Sequence, residues 1–214
     1  MKICHRYRNV IDTSLEKYFD IKEWKSYDED DKQCVIYVHE NDKKKLAIKK
    51  VMGLFAKDIA YTFWSIDESV KLEWDQSVQS MRVLEVLSPN CAIIHLKMKR
   101  IWPVKARDCV CATEILQVGE GEWVVNNISV EHPLTKNIEN DYVRMNCDVN
   151  MFVKEELINK DKPKTRDNII STITYRANVD VGSWASNVVV SKMCHKTWSN
   201  VLEELCETVR NKYT

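Results

Sequence analysis

The sequence predicts an α+β protein in which a curved antiparallel sheet is closed on one side by a long C-terminal helix. Three observations carry this. From Met81 onward the chain runs as extended segments separated by turns, at 81–87, 91–101, 107–117, 122–131, 142–153 and 168–179. The fifth alternates cleanly. Val143, Met145, Cys147, Val149, Met151 and Val153 face one way, and Arg144, Asn146, Asp148 and Asn150 the other, which marks a sheet with one apolar and one wet face. The last segment, about 186–212, sets Val190, Cys194, Trp198, Leu202, Leu205 and Val209 three and four residues apart, a stripe wide enough to cover a sheet face.

The preceding elements follow in order. Residues 1–33 are polar. DTSLEKYF suggests a short helix opening at Asp12 or Thr13, and SYDEDDK (26–32) reads as an acidic loop. CVIYVHE (34–40) and LAIKKVMG (46–53) are strands joined by the turn ENDKKK. Phe55, Ile59, Phe63 and Ile66 have helical spacing, and the helical pattern extends toward Trp74. NKDKPKTRDN is a charged loop between the last two strands, and DVGSW leads into the final helix.

Composition narrows the function classes. The 214 residues suffice for one domain over 1–214 with a substantial core or a cavity. Lys and Arg equal Asp and Glu in number, so the global basic field of a nucleic-acid binder is lacking and no nucleic-acid partner is expected. The opening MKICHRYRN has no apolar run like that of a secretory signal, and no stretch approaches the ~18 apolar residues of a membrane span. Membrane contact is then peripheral and the setting cytoplasmic. The eight cysteines are scattered through apolar stretches, as buried free thiols of a reducing compartment would be. Cys109 and Cys111 share a strand face, but no second pair follows at zinc-ligand spacing, so no metal and no cofactor is expected. None of His5, His39, His95, His132 and His195 lies in a nucleophile motif. His132, in EHP at a strand end, is the one catalytic candidate, and the expectation is a binding protein rather than an enzyme.

Five stretches then carry a resemblance: YTFW (61–64), EWD (73–75), SPNCAIIHLKMKRIWPVKARD (88–108), WVVNNISVEHP (123–133) and RDNIISTITYRANVDVGSW (166–184). With them the chain, from about Cys34 to its last helix, resembles the START domain family. The resemblance implies a helix-grip fold, in which a bent sheet wraps the C-terminal helix around an internal tunnel for one lipid. The physics suits such a carrier. Exposed methylenes cost about 0.8 kcal/mol each in water, so the acyl chains must be enclosed and a few polar groups must hold the head.

The resemblance also implies where those groups lie. Ceramide-binding members have an acidic residue after the FW motif, at Asp75, an Asn in the strand WVVNNISV, at Asn127, and a Tyr in ITY, at Tyr175. Lys71 stands where an Arg is typical, one turn before the acidic residue. A Gln of ceramide-binding members aligns with Leu96, which cannot hydrogen-bond a head group. Alternation sets Tyr175 with Ile169, Ile173, Ala177 and Val179, and Leu96 with Ala92, Ile94 and Met98. Ile94, Leu96 and Ile173, with Trp198 and Leu202 from the helix, are the expected cavity lining. Asn127 sits in a strand apolar on both faces, which leaves its orientation open. Read without the resemblance, Tyr175 is a core residue, Lys71–Asp75 a solvated i,i+4 pair, and Asn127 a partner for a neighbouring strand.

Trp102 and Trp184 lie in loops, RIWPVK and VGSWAS. The resemblance sets them at the tunnel mouth, against a bilayer, where an amphipathic ring is at home; a loop Trp tucked against the body is the alternative. Lys99, Arg100 and Lys105 flank Trp102 and could meet anionic head groups, and Val188 and Val189 extend the Trp184 patch. The expected function is transport of one membrane lipid, a phospholipid or a ceramide- or diacylglycerol-like lipid, by a monomer that visits membrane surfaces transiently. A lipid sensor without net transfer and a cavity enzyme are the alternatives.

Overall fold

A computed structural model of the chain describes residues 24–29, 34–39, 45–100, 105–135, 142–182 and 187–213. In chain order these form β1 (Trp24–Glu29), β2 (Cys34–His39), β3 (Lys45–Met52), α1 (Ala56–Trp64), α2 (Glu68–Trp74), β4 (Val78–Ser88) and β5 (Cys91–Met98). There follow β6 (Ala106–Gly119), β7 (Glu122–Ser129), β8 (Tyr142–Arg144), β9 (Asn146–Leu157), β10 (Ile169–Asp180) and α3 (Asn187–Tyr213). The strands make one sheet in the order β1-β2-β3-β10-β9-β7-β6-β5-β4, antiparallel throughout, with β8 added parallel to β6. Gly121, at φ 68°, supplies the left-handed residue that closes the β6–β7 hairpin.

The core lies between α1, α3 and the middle of the sheet. Ala56, Ile59, Ala60 and Phe63 of α1 meet Leu202, Leu205, Cys206 and Val209 of α3, over Ile115, Val125, Met151 and Ile173. Burying each large aliphatic chain here contributes about 1.5–3 kcal/mol. The predicted stripe on α3 holds from Trp198 onward; Val190 and Cys194 are on the helix, with side chains outside the described residues. The Ala56 N–H, at the start of α1, donates to Glu155 Oε2 of β9 at 3.0 Å, and Lys164 pairs with the same carboxylate. Glu68 of α2 accepts from Met81 N–H of β4 at 2.8 Å.

Three expectations need correction. The acidic segment from Ser26 to Glu29 is strand, not loop, because its backbone pairs with β2 along an edge of the sheet, where charged side chains are tolerated. The further helical turns expected toward Trp74 are present as α2, which follows a break at Ser65–Asp67 where Asp67 Oδ1 accepts from Ser69 N–H at 2.9 Å and caps the new helix. The segment 142–153 is two strands. Met145 interrupts it, donating its N–H to Asp108 O at 2.8 Å, so that β8 runs along β6 before β9 crosses to β7 and β10. The face read as wet is also partly closed. Asn126 and Asn150 are fully buried and hydrogen-bonded at 3.0 Å, and Arg176 bonds both Asn150 and Asp148. The helix expected to open at Asp12 or Thr13 falls outside the described residues.

Candidate functional site

Strand register arranges the concave face in tiers. Tyr175, Met151, Val125 and Ile115 are successive partners across β10, β9, β7 and β6, and all are buried under α1 and α3. Two residues along each strand come Ala177, Val149, Asn127, Thr113 and, on β5, Ala92. Here burial loosens: Ala177, Val149 and Asn127 are only half-buried. The next tier holds Cys147, Ser129, Cys111, Ile94 and Val83. The period of two thus settles Asn127, which faces the same side as Tyr175.

The second tier carries Thr113, a buried polar residue without a partner among the described residues. Thr113 is 1% exposed, and its hydroxyl has no hydrogen-bond partner among the described residues. The Trp74 indole N–H, under α2, is in the same condition. Buried polar atoms left unpaired are uncommon and call for an explanation. Thr113 is directly opposite Asn127 in the β6–β7 register. Its position is readable from alternation along β6, but nothing in the sequence marks it as unpartnered.

Lys71 is not the solvated residue that its i,i+4 spacing suggests. It is 8% exposed, with Nζ 4.0 Å from the Trp74 ring centre, 5.0 Å from that of Phe63 and 3.9 Å from Asp75 Oδ2. Burial pushes its pKa below the ordinary lysine value, while Asp75 works against that shift. Asp75 ends α2 and accepts from the Ser77 backbone N–H at 3.2 Å. Phe63 in turn meets Tyr175 edge-on at 6.1 Å between centres, and Tyr175 meets Trp198 at 5.5 Å. The structure therefore brings Lys71 and Tyr175 to Phe63, with Asp75 beside Lys71 and Asn127 one tier beyond Tyr175.

The expected lining residues divide into two groups. Ile173 and Leu202 are fully buried in the core below the tiers, and Trp198 borders it at 8%. Ile94 and half-buried Leu96 belong to a second apolar cluster with Met81, Cys109, Cys111 and Met145, against which Ile66 packs from the α1–α2 junction. Trp102 and Trp184 lie outside the described residues. Lys99, Arg100 and Lys105, which border Trp102 in sequence, are exposed. Val188 and Val189 begin α3, with side chains outside the described residues.

His132 has a structural setting. Its Nδ1 accepts from Leu134 N–H at 3.3 Å and its Nε2 lies 3.4 Å from Glu85 Oε2, which ties the turn after β7 to β4. His95 Nε2 is 2.8 Å from Asp108 Oδ2, and Arg144 bonds both oxygens of that carboxylate. Burial disfavours the Asp108 charge, but the hydrogen bonds from His95 and Arg144 outweigh it and hold its pKa at about 2.

Cys109 and Cys111, which share a strand face without a second pair at zinc-ligand spacing, gain a neighbour from elsewhere in the chain. Cys147 comes beside them from β9, and the three Sγ atoms lie within 4.8 Å of one another. The parallel β8–β6 pairing brings it there, and that pairing leaves no mark in sequence spacing.

A long C-terminal helix packed with α1 over an antiparallel sheet, with a half-buried tier that includes Asn127 and the buried Thr113 beyond the core, defines a helix-grip domain. The START domain model matches residues 12–213, and the chain belongs to the START family. It is 31% identical over 175 residues to the ceramide transfer protein of Xenopus laevis and 29% to that of Homo sapiens, in each case over 78% of this chain. The chain spans less than a third of those relatives' length, 28% and 27% respectively. Its fold matches human StAR-related lipid transfer protein 5 with a TM-score of 0.76 at 14% identity, covering 99% of this chain and 98% of that one. Human STARD10 matches with a TM-score of 0.73 at 18% identity, over 91% and 78% of the two chains. Among the described residues no helix is long and apolar enough to cross a membrane.

Proposed function

We propose that this chain binds one membrane lipid on its concave face and carries it between membranes. The observation that carries the reading is the tier of Thr113, Asn127, Val149 and Ala177, where close packing gives way to half-buried surface and a buried hydroxyl has no protein partner among the described residues. A lipid head supplies donors and acceptors for such groups, and Asn127, Tyr175, Lys71 and Asp75 are the residues assigned to hold it. The apolar walls around Ile94, Leu96, Val83 and Met98 suit acyl chains.

The lipid class assigned is ceramide- or diacylglycerol-like, or a phospholipid. The relatives named ceramide transfer proteins support the first, while Leu96, which offers no hydrogen bond, weighs against ceramide in particular. Trp102 and Trp184 are assigned to the mouth, with the exposed Lys99, Arg100 and Lys105 meeting anionic membranes. In this reading the chain works as a monomer, in the cytoplasm, as a binder rather than an enzyme. The test is transfer between donor and acceptor vesicles, with mass spectrometry of lipid extracted from the purified protein. Stoichiometric acceleration for one lipid class is expected. Failure to move or retain any phospholipid, ceramide or diacylglycerol refutes the reading.

A further inference from the structure

The thiols of Cys109, Cys111 and Cys147 come together within the second apolar cluster. Cys109 and Cys111 project from the same face of β6, and Cys147 reaches them from β9 across the small side chain of Ser129. Ser129 Oγ accepts from the Cys147 N–H at 2.7 Å and lies 4.0 Å from Cys111 Sγ, which fixes the third sulfur over the other two. We propose that these three sulfurs form a binding site for a soft, thiophilic metal ion, Cu(I) above all.

Geometry supports the assignment. Sulfurs bound to one ion at about 2.3 Å stand roughly 4 Å apart. These already lie within 4.8 Å of one another, so modest side-chain rotations complete the triangle. The donor set is all sulfur, and among the described residues no His or carboxylate joins the group. Such a set selects soft ions over Mg²⁺ or Ca²⁺, and the three donors found among the described residues suit trigonal Cu(I) better than tetrahedral Zn²⁺.

Electrostatics point the same way. The Lys71 ammonium lies within electrostatic reach of Cys109 and Cys111 and offsets negative charge that the bound ion leaves over. Each further thiol that binds releases its proton to solvent, so affinity rises with pH. The site is next to Ile94 and Leu96, one tier beyond Asn127.

The test uses the full chain, kept reduced by a phosphine under anaerobic conditions. Cu(I) is presented as its bicinchoninate complex, and loss of the complex's colour reports capture. One equivalent per chain is expected to transfer. In the wild type under native conditions, that equivalent should slow alkylation of Cys109, Cys111 and Cys147 together by N-ethylmaleimide, while Cys34, Cys91 and Cys206 react at unchanged rates. Cys147→Ser should weaken capture roughly tenfold or more. No capture in competition, protection that spreads evenly over all cysteines, or undiminished affinity in a folded Cys147→Ser variant overturns the proposal. The wild-type footprint stands even if that variant fails to fold.

Discussion

Replacing Thr113 with valine should stabilise the lipid-free protein and weaken its lipid loading. The two side chains have nearly the same shape, so the change removes a hydroxyl and leaves packing in place. That hydroxyl is buried and unpartnered among the described residues, and a buried polar group in this condition costs about 1–3 kcal/mol. Relief of part of that cost raises the melting temperature by about 2–4 °C per kcal/mol in a chain of this size. In the loaded protein the same hydroxyl gains a partner worth about 0.5–1.5 kcal/mol, so Thr113→Val should lower loading roughly two- to twelvefold. Calorimetry of delipidated protein reads the first effect, and partition of labelled lipid from vesicles the second. A Thr113→Val variant that is less stable without lipid and loads normally would show that the hydroxyl serves the fold, and the argument for the tier would fail.

Asn127→Ala and Tyr175→Phe should each reduce lipid loading by a similar factor with little change in circular dichroism; normal loading in both would move the head-group site elsewhere. Trp102→Ala and Trp184→Ala should slow vesicle transfer more than they weaken equilibrium binding. The same vesicles should shift tryptophan emission of the wild type to the blue, and the absence of both effects would remove these loops from the mouth. Asp108 contributes an acid-sensitive component of stability. Its folded pKa, about 2, lies below the ordinary 3.8, so the contribution is present above about pH 4 and disappears as the pH falls toward 2. Urea unfolding of Asp108→Asn should lack that loss, and a variant with the wild-type acid profile would assign the loss to other carboxylates.

The sheet and the closing helix are legible in the sequence because their apolar residues repeat with periods of two and 3.6, which record burial directly. That rule places Tyr175 and Leu96 on the correct faces. It does not place Asn127, since Val124 and Val125 are both buried and its strand has no polar face to orient it. Lys71 escapes the rule because i,i+4 spacing names its acidic partner but not the Phe63 and Trp74 rings that shut out water. Asn150 and Arg176 alternate with apolar residues as surface groups do, yet they satisfy one another inside the protein. Cys147 illustrates the hardest case. Three residues of parallel pairing between β8 and β6 decide its neighbours, and so short a contact has no periodic signature.

The carboxylate of Glu155 has a consequence for local unfolding. Helices ordinarily fray from their ends, since the first turn has unpaired N–H groups. Here the Ala56 N–H is held by a side chain from β9 that is also paired to Lys164, on the loop toward β10. Arg166, just before β10, bonds the Gly53 carbonyl ahead of the same turn. The start of α1 therefore cannot open unless the β9–β10 hairpin loosens with it, and the two behave as one cooperative unit. Amide hydrogen exchange should reveal this as matched protection of Ile59 and Ala60 with the β9–β10 pairs, and Glu155→Ala, which removes the acceptor, should release the helix end alone.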